Sequence, residues 1–111
     1  DHHVFKSLTH DCTVVIIEYN SHYSKEEEVY MVENEAGHIG GETSYSASYK
    51  AMRKIAEEKG YFLYKEMAHC NLIFIKKEYE NLFEKFDENT LSLPNKWGFP
   101  RNEVRKMIYV N

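Results

Sequence analysis

The chain has 111 residues, 42% of them hydrophobic and 29% charged, which suits one small globular domain and excludes both a disordered chain and two full cores. The net charge is -4 with histidine neutral, and the lysines and arginines are scattered; nucleic acid is excluded as a partner, since phosphate binding needs a basic stripe. The longest apolar run, Val14 to Ile17, is far too short to cross a bilayer, and the Asp-His-His start lacks a secretory pattern, so a cytoplasmic chain with no membrane partner is expected.

In chain order, Val4, Phe5 and Leu8 share one face of a short helical turn. Residues 13–19, Thr-Val-Val-Ile-Ile-Glu-Tyr, are β-branched and almost continuously apolar, the pattern of a strand buried on both faces. Ser21 to Thr43 reads as a long polar loop with Gly37, Gly40 and Gly41, and with a helical turn around Glu26 to Met31. Tyr45 to Lys59 is the clearest helix: Tyr49, Met52, Ile55 and Ala56 make one apolar stripe. Thr43 or Ser44 can cap its start, and Gly60 can take the left-handed stop. Tyr61 to Met67 and Leu72 to Lys77 read as an antiparallel hairpin closed by residues 68–71. Glu78 to Phe86 is a helix candidate with Tyr79, Leu82, Phe83 and Phe86 on its apolar side. Asp87 to Pro100 is irregular, and Arg101 to Tyr109 reads as a last short helix with Val104 and Ile108 on one side. The chain divides into an α/β segment, residues 1–86, and an extension, residues 87–111. Two cysteines without a CxxC motif exclude zinc-ribbon and thioredoxin-like sites.

Four segments in order carry a family resemblance: Asp1 to Leu8, Val14 to Asn20 (Val-Val-Ile-Ile-Glu-Tyr-Asn), Ser48 to Tyr61, and Cys70 to Lys77. Together they are similar to the C-terminal part of FkbM-like S-adenosylmethionine-dependent methyltransferases, over about residues 1–80. In that family an apolar strand ends in Ile-Glu-Tyr-Asn, a helix runs to a Lys-Gly-Tyr stop, and an Asn leads a further apolar strand. The resemblance implies an α/β fold: the C-terminal half of a Rossmann-like sheet, small and mixed, closed by an antiparallel hairpin and flanked by helices. The first strand would lie beside the strand from Leu72, with the strand from Tyr61 at the edge. On that strand order Cys12 and Cys70 sit at opposite ends of the sheet, too far apart to bridge. The glycine-rich donor-binding turn and the ribose-holding acid of the family lie upstream of the matching region, and Tyr49 replaces the usual Leu. The implied activity is O-methyl transfer to a small polar acceptor in the full enzyme, with S-adenosylmethionine as donor there and no cofactor for this chain alone.

Ligands of open α/β sheets bind beyond the carboxyl ends of the strands, which singles out Glu18, Tyr19 and Asn20. Glu18 can serve as a base or orient a hydroxyl, and Asn20 can bond a polar substrate or hold its own loop backbone. With Asp1, which the resemblance makes the last acid of a turn, these are the candidate catalytic residues; Tyr19, His22 and His38 are candidate substrate contacts. His22, His38 and His69 flank the same side, but no helical histidine pair marks a metal site. Residues 97–100, Trp-Gly-Phe-Pro, are an apolar patch that packs back or docks a partner. A reading of another class stands beside the enzyme: a self-associating module, homo-oligomeric through the edge of the Thr13–Tyr19 strand and without catalysis.

Overall fold

The structure, a computed structural model, describes residues 1–32, 42–91, 93–94 and 100–110. It is a small α/β domain with two antiparallel sheets. The elements in order are α1 (His2–Ser7), β1 (Val14–Glu18), β2 (Glu28–Met31), α2 (Tyr49–Glu58), β3 (Tyr61–Met67), β4 (Asn71–Lys76) and β5 (Met107–Val110), with short 3-10 turns at Lys77–Leu82 and Glu88–Thr90. The larger sheet has the order β1-β4-β3, the strand order that the family resemblance implied, and the smaller pairs β2 with β5. Every neighbouring pair is antiparallel, so β1 and β3 run the same way on either side of β4.

Register explains which face is buried. Val15 sits opposite Phe74 and Ile17 opposite Leu72, while Leu63 of β3 faces Phe74 from the other side. These side chains share one face of the pleat, and the stripe of Tyr49, Met52, Ile55 and Ala56 on α2 packs into the same core. Ser48 caps α2 by accepting the Ala51 N–H, and Gly60 ends it at φ +85°. A Cβ at Gly60 would meet nothing within 4 Å, so the backbone conformation, not space, calls for glycine there. α1 closes the core from the side: Phe5 stacks on Phe74 with ring centroids 5.8 Å apart, and Lys59 Nζ donates to the Leu8 carbonyl at 2.7 Å.

Several expectations are corrected. β1 is not buried on both faces: burial alternates along it, with Val14 49% and Ile16 56% exposed, because it is an edge strand and only the α2 side of the sheet is covered there. Val4 also faces out while its neighbour Phe5 is buried. Residues 28–31 form a strand, not a helical turn, because each pairs with a residue of β5. The helix begins at Tyr49 rather than Tyr45; the chain bends at Ser46, Ala47 is bridged to Tyr30 and Ser48 to Asn20, and Ser48 rather than Thr43 or Ser44 is the cap. The segment from Lys77 is a 3-10 turn whose Tyr79 and Leu82 face solvent, because Phe83 packs against Phe62 and Tyr64 instead. The last short helix is absent. Residues 101–106 are irregular, with a bend at Arg105, and lead into β5. Gly37, His38, Gly40, Gly41, Trp97, Gly98 and Phe99 lie outside the described residues.

Candidate functional site

The carboxyl end of β1 is where polar groups gather. Tyr19 N–H bonds the Cys70 carbonyl at 2.8 Å and so extends the pairing with β4. One residue later the chain changes partner: Asn20 N–H bonds the Ala47 carbonyl at 2.8 Å, on the opposite edge. Ser46, held at φ +48°, sends its Oγ toward the Glu18 carbonyl at 3.4 Å. The end of the strand is thus clasped between the β3–β4 turn and residues 46–48.

Asn20 is fully buried, and its side chain is committed to backbone. Nδ2 donates to the carbonyls of Thr43, at 2.7 Å, and Tyr45, at 2.9 Å, while Oδ1 accepts the His22 N–H at 3.0 Å. Asn20 therefore fixes the loop, the role that Asn takes at turns. Tyr19 is also fully buried. Its hydroxyl donates to the Glu66 carboxylate, and its ring meets Tyr49 edge-on at 6.1 Å. Burial, and then the Glu66 carboxylate, push its ionisation far above the usual tyrosine range.

Glu18 is exposed. Its charge acts on the backbone amine of Asp1 and on the hydroxyl of Tyr45. Burial first, and then the charge of Glu18, raise Tyr45 to about 12, so its hydroxyl stays a donor at neutral pH. His22 is buried beneath Tyr45, rings perpendicular at 6.0 Å. Ser21 Oγ is buried and finds no hydrogen-bond partner among the described residues. Glu18, Tyr45 and Asp1 form the accessible part of the site, while Tyr19, Asn20 and His22 are its buried support.

The β3–β4 turn strengthens this concentration. Ala68 and His69 both have positive φ, 53° and 65°, a conformation that side chains bearing a Cβ rarely adopt. With Ser46 they put every positive-φ residue other than glycine, among the described residues, at this one end of the sheet. Cys12 and Cys70 are not joined in a disulfide and lie level with opposite ends of β1. Among the described residues, no group of three or more His, Cys, Asp or Glu can hold a metal ion.

Sequence reasoning missed Glu66, Tyr45 and Ser46. Glu66 has the opposite parity to Tyr61 and Leu63, and only a register shift between Leu63 and Lys65 brings it opposite Leu72, so alternation could not show its direction, and its partner Tyr19 lies far away in sequence. A cleft of about 1060 Å³ lies elsewhere: Tyr61, Phe62, Lys77, Phe83 and Glu88 in its lining belong to the start of β3 and the chain after β4, at the other end of the sheet from Glu18. Compared with family models, curated proteins and solved structures, the chain matches none.

Proposed function

We propose that the chain is the acceptor-side portion of an S-adenosylmethionine-dependent methyltransferase fold, the whole of which would methylate a hydroxyl of a small polar acceptor. The observation that carries this reading is the order β1-β4-β3 with the outer edge of β1 open. Tyr19 N–H and Thr13 C=O point to β4, so by the alternation of an antiparallel ladder the backbone groups of Val14, Ile16 and Glu18 point the other way. Further strands of a larger sheet would pair there.

The donor does not fit the described residues. No glycine-rich turn joins a strand to a helix among them, and the start of α2 carries Ser48, whose hydroxyl is already held by the Glu27 carbonyl and the N–H groups of Val29 and Ala51. What this chain offers is the acceptor side: Glu18 as a solvent-facing carboxylate to orient or deprotonate a hydroxyl, and Tyr45 as a donor beside it. Methyl transfer asks mainly for positioning, with a weak base at most.

Two calorimetric titrations with S-adenosylmethionine test this. Residues 1–111 alone should give no heat, and the full-length gene product should bind at micromolar affinity. Heat from the short chain, or none from the long one, overturns the reading. The exposed Val14 and Ile16 on an open edge also favour self-association through β1, which native mass spectrometry reads directly.

A further inference from the structure

Residues 101–110 cross over the loop that leaves β1, and most of what fastens them is polar. Thr43 and Asn102 exchange two hydrogen bonds: Thr43 N–H to the Asn102 carbonyl at 2.8 Å, and Asn102 N–H to Thr43 Oγ1 at 2.7 Å. Ser44 Oγ accepts the N–H groups of Val104 and Arg105 at 3.0 and 2.8 Å and donates to Glu42 at 2.8 Å. Arg105 Nε meets the Glu42 carboxylate at 2.9 Å, both side chains buried. Arg101 donates to the His22 carbonyl at 3.0 Å and to Glu27 at 2.5 Å, and its guanidinium lies 4.4 Å from the centre of the Tyr23 ring.

The apolar anchorage is slight by comparison. Of the β5 side chains only Met107 is buried, in a small cluster with Tyr23 and Val29 that is separate from the main core. Ile108, Tyr109 and Val110 are exposed on an edge strand. A unit held by few apolar contacts opens at lower free energy than the core strands. Directly beneath it lie Glu42, Thr43, Ser44 and His22, all buried, and the Thr43 carbonyl that receives the Asn20 side chain.

We infer that residues 101–110 form a strap that opens as a unit on the rest of the domain, and that its opening gives a small polar molecule access to the buried polar surface at the end of β1. The access half rests on the acceptor-side reading above; the opening half does not.

Native-state hydrogen exchange on the whole chain tests the opening. The amides of Asn102, Val104, Arg105 and β5 should exchange at least about 100-fold faster than those of Ile73 and Phe74 in β4. Arg101→Gln removes an ion pair, a backbone hydrogen bond and a cation–π contact, and should speed the strap a further ~10-fold without moving β4. Carbethoxylation of His22 tests the access: its rate should rise about 10-fold in step with the strap, while exposed His10 stays as it was. One common exchange rate for strap and β4, or equal acceleration of both by the substitution, overturns the strap. Strap amides that accelerate while His22 labelling does not overturns the access. S-adenosylmethionine plays no part in either readout, so this inference and the methyltransferase reading fail separately.

Discussion

His2 is 2% exposed, yet neither ring nitrogen has a hydrogen-bond partner among the described residues. It lies against the His3 ring at 3.9 Å and faces Tyr30 at 5.7 Å. Burial first, then the neighbouring charges of His3, the Asp1 amine and Lys6, lower its pKa to about 4. The sign follows from linkage. Between pH 6.5 and 4 the unfolded chain takes up the proton that the folded chain refuses, so this source of stability is complete above 6.5 and is lost as pH falls toward 4. The loss should be about 3 kcal/mol in urea denaturation, and His2→Leu should remove that part of the pH dependence. Asn20 gives a second test at this scale. Asn20→Ala leaves two carbonyls and an N–H of the loop unpaired and should cost about 2–4 kcal/mol by the same assay. The sequence placed Asn20 at a strand end correctly. Its bonds to Thr43 and Tyr45 were illegible, because they depend on a segment that returns from more than twenty residues away.

Among the elements, the legible ones were those whose pattern answers to a single packing face. The α2 stripe, the Gly60 stop and the hairpin all follow from local periodicity and turn chemistry. β5 did not, because Val104 and Ile108 are four apart and mimic a helix face, while the pairing that makes the strand comes from β2 at the far end of the chain. Ser48 shows how much one side chain can hold together. Its hydroxyl donates to the Glu27 carbonyl at 2.7 Å and accepts the Val29 N–H at 3.0 Å, and it also caps α2. Ser48→Ala should therefore cost about 2–3 kcal/mol, beyond the ~1 kcal/mol of an ordinary cap, measured by thermal or chemical unfolding. The β3–β4 turn predicts the opposite sign. His69→Gly and Ala68→Asn replace residues at positive φ with ones that tolerate it, and each should stabilise the domain by about 0.5–1 kcal/mol.

The whole molecule has one sheet face sealed by α2 and α1 and another left bare around Val14 and Ile16. If the open edge of β1 joins two copies, Ile16→Lys should convert a dimer to a monomer in native mass spectrometry while leaving the unfolding midpoint nearly unchanged, since Ile16 packs against little in its own chain. A dimer that survives the lysine would place the contact elsewhere. The strand order was legible only through the family resemblance, because an apolar run such as Val14 to Ile17 fits a central strand and an edge strand equally well.

β1 and β4, its neighbour in the sheet, are separated by the whole of β2, α2 and β3. On the ribosome, Val-Val-Ile-Ile therefore emerges long before residues 71–76, and it waits in the open until they clear the exit tunnel. Synthesis rate thus bears on yield. Slow codons between α2 and β4 would lengthen the wait and favour aggregation of nascent chains, whereas a holdase that grips short apolar strands would offset it.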